Sequence, residues 1–174
     1  MKEQAKTIWK VDAGHSSVGF KIRHMAIANV SGAFLHFEGQ VYSLTPDNFE
    51  SATVDFEIRT ESLNTNNTER DAHLRSDLFF DVERFSTISF KGVLTGSKLT
   101  GDLTIRNVTR EISLEADFTG LGQGRFGDTR AGFELSGKIN RKDFGLTWNM
   151  LTEAGSLIVG EDVKLDMNIE LIRS

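Results

Sequence analysis

Apolar and polar residues alternate with a period of two through most of this chain, in segments that restart about every ten residues after turn-forming residues. Successive side chains of an extended strand point to opposite faces, so each segment has one apolar and one solvated face, as in antiparallel sheet. Residues 7–11 (TIWKV) open the series. Val18, Phe20 and Ile22 then alternate with Gly19, Lys21 and Arg23, and Val54, Phe56 and Ile58 with Asp55 and Glu57. Ile88 and Phe90 follow, then Leu99, Leu103 and Ile105, then Ile112, Leu114, Ala116 and Phe118. Phe133, Leu135 and Ile139 form the next apolar face, and Val163, Leu165, Met167, Ile169 and Leu171 the last. Residues 29–42 depart from strict alternation, because Phe34 has one parity and Phe37, Gly39 and Val41 the other. A bulge or bend near Leu35 and His36 would turn both Phe residues inward.

About eight strands with one apolar face each cannot be covered by a single short helix, so the sheet must cover itself as a sandwich or a closed barrel. Gly19, Gly39, Gly92, Gly101, Gly132 and Gly137 fall inside strand segments, where glycine marks bulges and tight barrel corners. The predicted fold is therefore all-β: an extended antiparallel eight-stranded β-barrel with one short helix. Such a barrel encloses room for its own side chains or for one slim ligand. Inward aromatic residues serve either purpose, and composition alone does not separate a filled lumen from a hollow one.

The helical exception is residues 66–85, NNTERDAHLRSDLFFDVERF. Thr68-x-x-Asp71 has the spacing of a capping box, and Leu74 and Leu78 lie one turn apart. Arg70, Asp71, His73 and Arg75 crowd beside Leu74, Leu78, Phe79 and Phe80. On a generic surface helix these charges would pair with Glu69, Asp71 or Asp77 as a solvated network. At a barrel mouth the same charges would lie where the polar head of an amphiphile sits.

Composition narrows the function classes. The chain has no Cys, which removes thiol chemistry and any need for an oxidising compartment. A net charge of −5 with interspersed signs argues against a nucleic-acid surface. No apolar run is long enough for a membrane-spanning helix, which takes about 20 residues. The opening MKEQAKTIWK has no apolar core after its charges, so a cytoplasmic protein is expected as the sequence stands, and a periplasmic one if a leader has been removed. Thirteen Phe stand against one Tyr and two Trp, and Phe has no polar handle, so it needs a dry core or a dry ligand. One domain over residues 7–174 is expected, preceded by a flexible segment, 1–6.

Short motifs of other chemistries fail on context. Gly122-x-Gly124-x-x-Gly127 matches a dinucleotide fingerprint, but a strand pattern follows it where a helix is required. Asp12, His15 and Ser16 have the residue types of a hydrolase triad, yet triad members converge from separate elements, and no oxyanion-hole signature accompanies them. A turn bonded to local backbone is the plainer reading. His15, His24, His36 and His73 are scattered without metal-ligand spacing, although His24 and His36 could meet across strands. No metal and no cofactor are predicted. Three Asn-x-Ser/Thr triplets, at Asn29, Asn66 and Asn107, are short patterns that arise readily by chance.

Four longer motifs occur in order. They are Trp9-x-Val11-Asp12-x-x-His15-Ser16-x-Val18-x-Phe20, then Arg70-Asp71-x-His73-Leu74 with Asp77-x-Phe79-Phe80-Asp81. Next come Gly101-Asp102-Leu103-Thr104-Ile105 with Val108-Thr109, and Ile139-Asn140-Arg141-x-Asp143-Phe144-Gly145-Leu146. Over nearly its whole length the chain resembles the YceI-like, lipocalin-like polyisoprenoid-binding proteins. Asn107 departs from the Gly common before Val-Thr in that family. The resemblance implies a lipocalin-like barrel whose lumen holds a long isoprenoid chain, a polyprenyl phosphate or a quinone, without catalysis. It implies storage or transport, in some members under alkaline or other stress. Homodimers occur in the family, and contact with a membrane is expected to be transient, without insertion.

On this combined reading the lumen wall is Phe20, Ile22, Phe34, Phe37, Phe56, Phe90, Leu103, Phe133, Leu135, Val163, Leu165, Met167 and Ile169. The polar head group is assigned to His15, Arg70 and His73, with Asp71 orienting its neighbours. A solid structural or interaction barrel is the alternative, and an enzyme acting on a lipid ester through His15 or His73 is a third.

Overall fold

Eight long staves, hydrogen-bonded antiparallel to their neighbours and closed on themselves, carry the alternating pattern. The computed structural model describes residues 6–149 and 159–174, so the expected flexible segment lies, apart from Lys6, outside the described residues. The strands are β1 Thr7–Val11, β2 Ser17–His24, β3 Ala28–Phe34, β4 Phe37–Ser43, β5 Thr53–Arg59 and β6 Leu63–Asn64. After helix α1, Thr68–Arg75, come β7 Thr87–Thr95, β8 Lys98–Ile105, β9 Val108–Gln123, β10 Thr129–Asn140 and β11 Val159–Arg173.

β11 pairs with both β1, at Val11↔Leu171, and β2, at Val18↔Met167. β1 and β2 are thus one stave, interrupted by a 3-10 turn at Ala13–His15. β3 and β4 are likewise one stave, bonded to β2 and β1 respectively. The contact between β1 and β11 closes the cylinder on one side, while β3 meets β6 only at Ala33 and Phe34, so its Ala28–Gly32 stretch has β2 as its one strand neighbour among the described residues.

The bend expected near Leu35 and His36 lies between β3 and β4. Leu35 N–H donates to the Ser62 carbonyl at 3.1 Å and Arg59 N–H to the His36 carbonyl at 2.9 Å, so the bend satisfies its backbone through the end of β5 and the turn that follows it. Phe34 is buried, and Phe37 stacks on Phe56 with ring centroids 5.7 Å apart. Strand glycines permit the tight wall. A Cβ on Gly101 would stand 2.2 Å from the Lys91 carbonyl oxygen, so the β7 and β8 backbones approach where no side chain fits.

One end of the barrel is sealed. Trp9 is fully buried and its indole N–H donates to Ser43 Oγ at 3.0 Å, while the Ser43 hydroxyl donates to the Thr45 carbonyl at 2.7 Å. Phe49 packs on Trp9 at 5.1 Å and meets Phe133 edge-on. Phe118 differs from expectation, being 48% exposed. β9 runs past its last pairing with β8, Glu115↔Lys98, so Phe118 sits at the rim against Phe49 and Phe133.

The helix differs from the sequence reading in three respects. It spans Thr68–Arg75, eight residues rather than the full stretch to Phe85. The Ser76 hydroxyl and N–H both donate to the His73 carbonyl, at 2.6 and 3.2 Å, which takes up the acceptor that another turn would need. Leu78 consequently lies beyond the helix, 50% exposed, and forms no stripe with Leu74. The N-cap is Asn67, whose side chain accepts from Arg70 N–H at 2.9 Å, and not Thr68. Asp71 reaches back to Thr65 instead of closing a capping box.

Candidate functional site

The barrel encloses a cavity of about 400 Å³ lined by side chains from its staves and from α1. For scale, an engineered apolar cavity of about 150 Å³ holds benzene. Every wall residue expected from the alternation lines this space except Phe37, which supports Phe56 from one layer away. Phe49, Ala52 and Leu94 line its sealed end, and the wall between the ends is almost wholly hydrocarbon.

Polar groups gather at the other end. Arg23 and His24 come from β2, Thr65, Arg70 and His73 from the segment around α1, and Arg141 and Trp148 from the chain after β10. Thr65, itself buried, organises the helix side. Its N–H donates to Asp71 Oδ1 at 2.9 Å and its hydroxyl donates to the same oxygen. Arg70 then donates from Nε to Thr65 Oγ1 at 2.8 Å and from Nη2 to the Thr65 carbonyl at 2.7 Å. Asp71 is therefore a buried anchor behind the site and does not line the cavity. Arg75 donates to the carbonyls of Glu61 and Leu63, so the surface ion-pair network open to Arg70 and Arg75 does not form. His73 meets the rings of Phe79 and Trp148 edge-on, at 5.3 and 4.5 Å.

His15 does not join this group. It sits at the break between β1 and β2, with its side chain 65% exposed and Nδ1 2.6 Å from Asp12 Oδ2. Separation in the fold is the reason: β11 side chains alternate, so Ile169 and Leu171 face the lumen while Glu170, in the His15 cluster, faces out. Arg130 Nη1 bridges Asp12 and Glu170 there at 2.7 and 2.9 Å. This guanidinium, and next His15, hold the Asp12 carboxyl below its ordinary pKa. Asp12, His15 and Glu170 are the one group among the described residues whose ligand atoms could share a cation, and the Arg130 charge already stands between its carboxylates.

The remaining motifs read as their context suggested. Asp12 Oδ1 accepts from Gly14 N–H, and Ser16 bonds the Glu170 backbone rather than His15, so the triad-like trio is a turn. His24 and His36 lie at opposite ends of β3 and do not meet. Gly124 and Gly127 lie in the β9–β10 hairpin loop, with Gly122 at the end of β9.

Sequence reasoning missed Arg141 and Trp148. Arg141 is buried and donates to four carbonyls: Gly160 at 2.7 Å, Leu146 at 2.6 Å, Trp148 at 2.9 Å and Val159 at 3.3 Å. Burial lowers its pKa. The signal was present in the fourth motif. Asn140 caps the 3-10 turn Arg141–Phe144, Phe144 is buried, and Gly145 supplies the left-handed residue, φ 78°, that ends it. That local frame fixes where the Arg141 side chain enters.

A closed antiparallel barrel, hollow and hydrocarbon-lined, with cations at one end, belongs to the class of lipocalin-like β-barrels with an open lumen. More particularly, the chain belongs to the YceI-like family, whose domain profile matches residues 9–171. A UPF0312 protein of Staphylococcus aureus (strain N315) is 34% identical over 166 residues, covering 94% of this chain and 96% of the relative. The crystal structure of a Campylobacter jejuni YCEI protein is 32% identical, with a TM-score of 0.69 over 94% of this chain and 96% of that one. A polyisoprenoid-binding domain from Saccharophagus degradans, implicated in plant cell wall breakdown, superposes with a TM-score of 0.73 over 99% of this chain and 100% of its own. It is 16% identical, a likeness of fold.

Proposed function

We propose that this protein binds a long-chain isoprenoid lipid in its barrel lumen and stores or carries it without chemical change. The observation that carries this reading is the hollow, hydrocarbon-lined cavity. A prenyl tail is hydrocarbon throughout, and apolar burial stabilises by about 25 cal/mol per Å². Such a tail needs no hydrogen bonds along its length. Selectivity then rests on the bore of the lumen and on the few polar groups at its open end.

Arg70 and His73 are the head-group contacts in this proposal. Arg70 is held by two bonds to Thr65, which leaves Nη1 without a protein partner among the described residues and able to donate to a phosphate or a quinone oxygen. A polyisoprenoid-binding domain among the structural neighbours supports the ligand class. Catalysis is not part of the proposal: Ser16 is not bonded to His15, and His73 is packed edge-on between aromatic rings.

Organic extraction of the purified protein followed by mass spectrometry tests the reading. A prenyl quinone or polyprenyl phosphate bound in simple stoichiometry is expected. Repeated failure to recover such a lipid, together with failure to load one from detergent micelles, would overturn it.

A further inference from the structure

The β2–β3 hairpin ends in a tip that is expensive to build and apolar. His24 pairs with Ala28, and the His24 carbonyl accepts Ile27 N–H at 3.2 Å, which closes a tight turn over Met25 and Ala26. Both turn residues are left-handed, at φ 52° and 60°. Turns of this kind ordinarily take Asn-Gly, because a Cβ is disfavoured there. This hairpin carries Met and Ala instead and presents Met25, 42% exposed, and Ile27, 80% exposed, to solvent. Strained backbone that displays apolar side chains is a reason to look for a partner.

Two further observations say which partner. The first is position. Arg23 and His24, immediately before the tip, line the open end of the cavity, so the tip stands at the mouth through which a lipid would pass. The second is charge. No Asp or Glu falls between Asp12 and Glu38, the longest acid-free run of a chain whose net charge is −5, and that run holds Lys21 and Arg23. An apolar tip flanked by cations suits an anionic bilayer surface: the side chains enter the headgroup boundary and the cations meet lipid phosphates.

We propose that the β2–β3 tip is a membrane-docking element that sets the barrel mouth on an anionic bilayer, so that a lipid passes between bilayer and lumen without crossing water. The proposal rests on the lipid-carrier reading above. Phe126, the most exposed large hydrophobic among the described residues at 90%, lies in the β9–β10 loop at the sealed end of the barrel and has no part in it.

Flotation with phosphatidylcholine vesicles, with and without phosphatidylglycerol, tests docking, and transfer of a fluorescent prenyl lipid tests loading. The variant M25N/A26G/I27T gives the turn its favoured residues and removes the apolar tip. The wild-type protein is expected to float with the anionic vesicles. The variant should lose flotation and load from vesicles about tenfold more slowly, while filling to the same extent from detergent micelles. K21E should weaken flotation, and F126S should leave it unchanged. Loading from micelles without flotation of the wild type, equal behaviour of the triple variant, or loss of flotation in F126S would each overturn docking by the tip. Failure of every protein to load from micelles would overturn the carrier reading, and docking with it.

Discussion

The imidazole of His73 stands edge-on to the indole of Trp148, with ring centroids 4.5 Å apart and planes at 89°. This contact ties α1 to the segment after β10 across the open end of the barrel. Phe79 completes the cluster at 5.3 Å from His73 and 5.5 Å from Trp148. Aromatic pairs of this geometry contribute about 0.5–1.5 kcal/mol beyond their area. His73→Ala should therefore lower unfolding stability by about 1 kcal/mol. Acrylamide quenching of Trp148 should rise, and bound lipid should dissociate faster. Unchanged quenching would show that α1 and Trp148 do not depend on each other.

Met167 lines the cavity from β11, facing Val18 and Leu135 on its neighbouring strands. In a well-packed core, enlargement to Trp strains the structure by about 1–3 kcal/mol. In a hollow lumen the indole has room. Met167→Trp is expected to keep the unfolding free energy within about 1 kcal/mol of wild type while blocking uptake of a long prenyl chain. Severe destabilisation with unchanged uptake would mark the lumen as solid.

If Arg70 contacts the head group as proposed, it should distinguish ligands by that group. A charge-assisted hydrogen bond is worth about 1.5–3 kcal/mol, so Arg70→Ala should weaken a polyprenyl phosphate about tenfold or more, and a quinone of equal chain length less. Binding titrations with matched tails measure the difference. Equal losses would assign Arg70 to holding Thr65.

Arg141 binds the carbonyls of Leu146, Trp148, Val159 and Gly160 from a buried position. Arg141→Met leaves those acceptors without their donor, and each buried orphan costs about 1–3 kcal/mol. A loss above about 3 kcal/mol in urea denaturation is expected. Arg141→Lys should recover little of it, because one ammonium cannot reproduce the planar fork of donors.

The Asp12 carboxyl, held below its ordinary value of 3.8 chiefly by Arg130, makes acid stability testable. The unfolded chain takes up this proton at a higher pH than the folded one. The stabilisation is therefore complete above the ordinary value and is lost as pH falls through the lowered folded value. Asp12→Asn should lower the thermal midpoint at neutral pH, and its difference from wild type should shrink below about pH 3.8. A difference that is constant with pH would rule out the ion pair as its source.

Much of the barrel was legible residue by residue. The parity change between Phe34 and Phe37 located the bend, because inward burial is a stronger constraint than an unbroken strand. The helix was less legible. Charge and capping patterns suggested a run to Phe85, but the Ser76 hydroxyl competes for the last carbonyl, and Asp71 is drawn to Thr65 by tertiary packing. His15 shared a motif with Trp9 and Val11 yet stands on the outer surface, since motif membership says nothing of the face on which a side chain emerges.

The sequence by itself determined which face of each strand is apolar, because a period of two is a local property of extended backbone. From that followed the wall residues and the need for a sheet that covers itself. Only the tertiary structure decided that the enclosed space is hollow, since the volume inside a barrel depends on how all the staves close together. It alone brought Arg70, His73, Arg141 and Trp148 to one mouth. Those residues come from segments some 70 positions apart in the chain, and their convergence is a consequence of closure that no local pattern records.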